Sequence, residues 1–142
     1  MTGPFETVLE HDEIAVEAVV PPAKGVRLGG YLKLERRVGD FATIGVAVAI
    51  ETSGTSVIRA GIALTGAGGS TIGATEAAAA LTGRPLTAES IGEAAELAAS
   101  VARPKTDHRG TAEYKRHLVR VFVRRILGGT AAGTGTTAER AA

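Results

Sequence analysis

Residues 44, 46, 48 and 50 are Ile, Val, Val and Ile, and the residues between them are Gly, Ala and Ala. Large apolar side chains at every second position fit one face of a β-strand, because successive side chains leave an extended chain on opposite sides. The alternation recurs at Ile58, Ala60, Ile62 and Leu64, and more briefly at Leu32 and Leu34. In the second half the period lengthens. Ile91, Ala94, Ala98 and Val101, then Tyr114, Leu118, Phe122 and Ile126, fall three or four apart, which is the spacing of a helix face. Strands followed by helices make the chain α+β: an antiparallel sheet of three to four strands, with three helices packed on its large-residue face.

The pattern predicts strands over residues 13–20, 31–37, 41–50 and 56–64, the first stopped by Pro21 and Pro22. Tyr31, Lys33, Glu35 and Arg37 share the face opposite Leu32 and Leu34. The second sheet face is small: Thr43, Gly45, Ala47 and Ala49 on one strand, with Gly61 and Ala63 on the next. Such a surface lets another backbone or domain approach closely. A first helix runs from near Gly73 to Leu81, with Gly83 and Pro85 beyond it. Thr87 caps a second, which ends before Pro104, and Thr111 begins a third, which stops at Gly128 and Gly129. Arg116, Arg120 and Arg124 line the side of the third helix away from its apolar stripe and are read as a solvated face. The tail, residues 129–142, has no side chain larger than Ala to place in a core and is expected to be disordered.

A length of 142 residues with 44% hydrophobic content suffices for one core. Aromatic residues make up only 4%, too few for a base-stacking surface, and a net charge of +1 gives no general attraction to nucleic acid or anionic lipid. The absence of cysteine excludes disulfides, thiolate metal sites and a cysteine nucleophile, and fits a cytoplasmic protein. No secretory signal is visible, and the apolar run at 44–50 is too short to span a bilayer, so the reading is a soluble chain without membrane or nucleic-acid partners.

The segment TGAGGSTIGA, residues 65–74, invites a phosphate-loop reading that its spacing refuses. Counting G-x-G-x-x-G from Gly66 puts Thr71 in the third glycine position, no Gly-Lys-Ser/Thr follows, and Ile72 replaces the last glycine of G-x-S-x-G. A strand-to-helix connection remains. The polar stretch TDHRGTAEYKRH, residues 106–117, has acid–base side chains but no site spacing. His108 and His117 are nine apart rather than four, with His11 distant. Asp107 is expected to cap backbone donors, and Arg109 to pair with Glu113 or a neighbouring chain. No catalytic residue and no metal site is assigned.

Taken together, GYLKLERRVGDFATIGVAVAI, SVIRAGIALTGAG, ATEAAAALTGRPLT and TDHRGTAEYKRHLVRVFVRRIL resemble the C-terminal domain of the FAD-binding medium subunit of molybdenum hydroxylases, the carbon monoxide and xanthine dehydrogenase group. The most specific pieces are KLERRVGDFA and DHRGTAEYKRHL. The resemblance divides the chain into 1–25, similar to the end of the preceding flavin domain, then 26–128, the C-terminal-like domain, and the tail 129–142. It implies an FAD-binding N-terminal domain, an iron–sulfur small subunit and a molybdenum large subunit as partners, with electrons passing from molybdenum through iron–sulfur clusters to FAD. The glycine-rich FAD loops are missing, so the chain is expected to start late in the flavin domain, to bind little FAD alone and not to be catalytic alone. The resemblance sets the YLK stretch beside the isoalloxazine and makes Tyr31 and Lys33 the cofactor-binding candidates. The alternative is a stand-alone noncatalytic module that pairs with itself or another chain through the small-residue sheet face.

Overall fold

The structure is a computed structural model that describes residues 2, 3, 6–132 and 139–141. Three strands, β1 (Val26–Leu34), β2 (Ile44–Ser53) and β3 (Ser56–Thr65), form an antiparallel meander, and the short β4 (Ile72–Gly73) pairs with β3. Helices α1 (Thr75–Leu81), α2 (Ala88–Val101) and α3 (Ala112–Ala131) follow, and β5 (Glu139–Ala141) lies parallel to β1. The sheet order is β4-β3-β2-β1-β5. The α+β architecture expected from the change of period is the one observed.

Side-chain size decides which face the helices cover. Ile44, Val46, Val48 and Ile50 of β2, with Leu32, Ile62 and Leu64, are buried beneath α1 and α3. α1 packs on β3 and α3 on β1 and β2, while α2 packs on both neighbouring helices. The buried face of α2 is almost all methyl groups: Ala94, Ala95, Ala98 and Ala99. Phe122 and Ile126 of α3 and Leu81 of α1 fill the space above the sheet. Burying each such side chain stabilises the fold by about 1.5–3 kcal/mol.

Both predicted threonine caps are present. The Thr87 hydroxyl accepts the Ser90 N–H at 3.2 Å while the Ser90 hydroxyl accepts the Thr87 N–H at 3.0 Å, and Thr111 accepts the Tyr114 N–H at 3.1 Å. Each cap satisfies a backbone donor that helix geometry leaves without a partner.

The chain departs from strict alternation at one bulge. Glu51 faces Arg59 and Thr52 faces Val57, so Ile58 is the extra residue. The bulge reverses the faces beyond it: Val57 is fully buried and Ile58 is 40% exposed, opposite to the alternation reading. Hydrogen bonds from the Gly83 N–H to the Val57 carbonyl, and from the Val57 N–H to the Arg84 carbonyl, hold the end of β3 against the loop after α1.

Other boundaries move. Residues 13–20 form no strand; Ile14, Val16, Val19 and Val20 are exposed, because a strand needs a pairing partner and none of the described residues supplies one. β1 begins five residues before the expected Tyr31, and there Gly29 is required: a Cβ at φ +154° would stand 2.2 Å from the Val48 carbonyl oxygen. α3 continues through Gly128 and Gly129 to Ala131, anchored by buried Thr130, whose hydroxyl donates to the Ile126 carbonyl at 2.8 Å. The tail expected to be disordered therefore begins inside a helix, and 139–141 pair with β1; residues 133–138 and 142 lie outside the described residues.

Candidate functional site

Alternation places Tyr31 and Lys33 on the sheet face away from the helices. Tyr31 pairs in register with Ala47, and Lys33 with Gly45. The Tyr31 ring lies over Gly45, where an added Cβ would come within 2.7 Å of the phenol oxygen. Gly45 is thus a seat for the aromatic ring. Beyond it Ala49 and Gly61 are exposed, leaving a low floor beside an exposed tyrosine.

Lys33 is oriented by the β1–β2 connection. Its ammonium donates to the Asp40 carbonyl at 3.1 Å and forms an ion pair with the Glu35 carboxylate. The Asp40 carboxylate accepts the Phe41 N–H at 2.7 Å and the Arg109 guanidinium at 3.0 Å, while the second guanidinium nitrogen of Arg109 donates to the Phe41 carbonyl. The Phe41 N–H foremost, and Arg109 with it, hold the Asp40 carboxyl below the usual aspartate range despite partial desolvation. Arg109 therefore pairs within the chain, with a partner 69 residues away, rather than with Glu113 or a neighbouring chain.

The loop that carries Arg109 is built tightly. Asp107 and Gly110 exchange backbone hydrogen bonds at 3.1 Å, and the Asp107 carboxylate accepts the Arg109 N–H at 2.9 Å, the capping expected from the sequence. Its other oxygen pairs with Lys115 at 2.8 Å, and this buried ammonium also donates to the Lys105 carbonyl at 2.9 Å. Lys115 foremost, with the Arg109 N–H, lowers the Asp107 pKa. Tyr114 covers Gly110 and stays 45% exposed, so it does not join the apolar stripe predicted for it.

Sequence reasoning missed a second polar feature. At the other end of the same face a cleft of about 330 Å³ is lined by Pro21, Arg27, Ala49, Glu51, Arg59 and Gly61. Glu51 is buried, and burial would raise its pKa, but the Arg27 side chain and the Lys24 N–H outweigh that and lower it. Its place on the outer face followed from alternation; its pairing with Arg27 followed only from the register.

Other candidates resolve structurally. Arg120 and Arg124 both reach Glu96 of α2, so this part of the arginine stripe joins two helices rather than facing only solvent. Partly exposed, each pair contributes at most about 1 kcal/mol. Ala67 of the glycine-rich loop is buried, and its carbonyl accepts the Arg103 N–H at 2.7 Å. Among the described residues no three His, Cys, Asp or Glu side chains gather in a group that could hold a metal ion, and no helix is long and apolar enough to cross a membrane.

Residues 30–130 match the CO dehydrogenase flavoprotein C-terminal domain. The chain belongs to this family. Residues 30–130 are a domain of the kind found in carbon monoxide dehydrogenase medium chains. The carbon monoxide dehydrogenase medium chain of Hydrogenophaga pseudoflava is 35% identical over 125 residues, an alignment covering 88% of this chain and 44% of that protein. The nicotine 6-hydroxylase medium subunit of Paenarthrobacter nicotinovorans is 32% identical over 125 residues, with the same two coverages. Among solved structures, carbon monoxide dehydrogenase from Hydrogenophaga pseudoflava, in a form lacking the Mo-pyranopterin moiety of its molybdenum cofactor, superposes with a TM-score of 0.85 at 36% identity over 94% of this chain and 46% of that one. The flavoprotein C-terminal domain sequence given by this chain thus spans less than half the length of these relatives.

Proposed function

We propose that this domain completes the flavin site of a molybdenum hydroxylase medium subunit. It contributes one wall beside the isoalloxazine and a surface for assembly with the FAD-binding N-terminal domain, the iron–sulfur small subunit and the molybdenum large subunit. Bound FAD would supply the electron-accepting chemistry. The chain's own residues bind and orient. Tyr31 offers an aromatic face against which a flat ring can pack, and Lys33 offers an ammonium donor toward a reduced, anionic ring, its charge partly offset by Glu35.

One observation carries the reading: Tyr31 and Lys33 stand side by side on the partly exposed sheet face away from the helices, where their partners across β2 are Ala47 and Gly45. The residues suit the ring end of FAD and not its pyrophosphate, since the glycine-rich loop lacks the spacing of a phosphate loop.

The test joins this chain to the N-terminal portion of the Hydrogenophaga medium chain that lies outside the aligned region. Tyr31→Ala and Lys33→Ala are expected to weaken flavin binding or shift its reduction potential. If both variants keep wild-type flavin properties, the assignment is wrong. The chain alone is expected to bind FAD weakly or not at all, and recovery of stoichiometric flavin from it would overturn that expectation.

A further inference from the structure

The two most specific sequence motifs, one around Lys33 to Asp40 and the other around Asp107 to Lys115, are far apart in the chain and hydrogen-bonded in the fold. Their contacts form a continuous line. Buried Lys115 holds Asp107, Asp107 holds the Arg109 backbone, the Arg109 guanidinium grips both the carboxylate of Asp40 and the carbonyl of Phe41, and the Asp40 carbonyl receives the Lys33 ammonium. Arg36, Arg37, Val38 and Gly39 of the turn so gripped are all exposed, and its own backbone bonds, from the Asp40 N–H to the Arg37 carbonyl at 3.0 Å and from the Thr43 N–H to the Leu34 carbonyl at 2.7 Å, close it without tying it to the helix layer. A planar guanidinium with two parallel donors fixes an angle as well as a distance, which an ammonium cannot do.

We propose that Arg109 is a positioning residue for Lys33, and that the α2–α3 loop sets the place of the ammonium on the outer sheet face through the β1–β2 turn. The proposal deepens the flavin-wall reading and rests on it for its functional meaning, but not for its first test. Without Arg109 the Asp40 carbonyl loses its tether to the helix layer, and Lys33 keeps only Glu35, two residues further along the chain.

The experiment reads the ammonium directly, by ¹⁵N NMR of lysine side chains in the full chain without flavin. Lys33 is expected to give a protected, slowly exchanging ammonium signal in wild type. Arg109→Gln is expected to abolish that protection and to speed Phe41 amide exchange at least about tenfold, the order for losing a charge-assisted hydrogen bond. Arg109→Lys, which keeps charge without the fork, is expected to restore it in part. An unchanged Lys33 signal in Arg109→Gln overturns the proposal. If that variant does not fold, Asp40→Asn weakens the same link while keeping the carbonyl, and the same readout decides.

In the joined subunit, Lys33→Ala and Arg109→Gln should shift the flavin potential in one direction, and the double variant should shift it no further than Lys33→Ala alone. Additive shifts overturn the positioning role. A Lys33→Ala variant with wild-type potential and affinity overturns the Lys33 flavin contact instead, while the ammonium signal still decides what Arg109 does.

Discussion

Replacing Gly45 by Ala separates the stability of the sheet from the placement of Tyr31. The new methyl would stand 2.6 Å from the Thr65 methyl and 2.7 Å from the Tyr31 hydroxyl, against an optimum of roughly 3.5–4 Å, so each must retreat by about 1 Å. Both are free ends of side chains. Moving one off its preferred rotamer costs about 0.5–1.5 kcal/mol, while Ala in place of Gly in a strand returns about 0.5–1 kcal/mol of chain entropy. With both side chains displaced the net loss is about 0–2.5 kcal/mol, at most roughly 10 °C in Tm for a chain of this length. Gly29→Ala is the contrast. Its methyl meets the Val48 carbonyl oxygen at 2.2 Å, a backbone atom that cannot swing away, so the loss should reach at least about 2 kcal/mol. The chain has no Trp and two Tyr, so in a Tyr114→Phe background its ultraviolet fluorescence comes from Tyr31 alone. Gly45→Ala should raise the acrylamide quenching of that fluorescence and lower the melting temperature less than Gly29→Ala does. Unchanged quenching, or a melting loss as large as that of Gly29→Ala, would refute the claim that Gly45 is the seat of the ring.

The bulge predicts that Val57→Ala costs about 2 kcal/mol in urea denaturation, while Ile58→Thr stays within about 0.5 kcal/mol; the reverse ranking would restore simple alternation. Phe122→Ala should cost about 3–5 kcal/mol by the same assay, since its ring is almost fully buried between the helix layer and the sheet. Asp40 and Asp107 titrate below the usual 3.8 in the folded chain, so their stabilisation is complete above that pH and is lost as pH falls through their lower folded values. Melting curves from pH 5 down to 2 should therefore show a weaker acid dependence in an Asp40→Asn, Asp107→Asn double variant. Thr87→Ala should lower stability by about 1 kcal/mol, read from the same melting curves at neutral pH.

What the sequence made legible was what short-range physics fixes. The buried row from Ile44 to Ile50 and the caps at Thr87 and Thr111 each follow from residues within a few positions of one another. The bulge left no such mark, because Val57 and Ile58 are both apolar and β-branched and only the pairing with Glu51 and Thr52 distinguishes them. Residues 13–20 show the converse: a good strand pattern that finds no partner strand among the described residues. The site was legible in part. Alternation put Tyr31 and Lys33 on one face, but the glycine beneath the ring and the arginine behind the lysine belong to other elements, and no local spacing announces a pair 69 residues apart.

The sequential order of the meander has a consequence for synthesis. β1, β2 and β3 are neighbours in sequence as well as in the sheet, with a two-residue turn between β2 and β3, and can pair as soon as they leave the ribosome; α1 follows to cover β3. The part of the inner face made by β1 and β2 waits longer. Its cover is α3, which begins at Ala112 and so emerges only after some sixty further residues beyond the end of β2 have been added. At roughly 5–20 residues per second the nascent sheet exposes Ile44, Val46 and Val48 for several seconds. In that interval the chain is a sticky half-sheet, the state in which a holding chaperone would have most to bind.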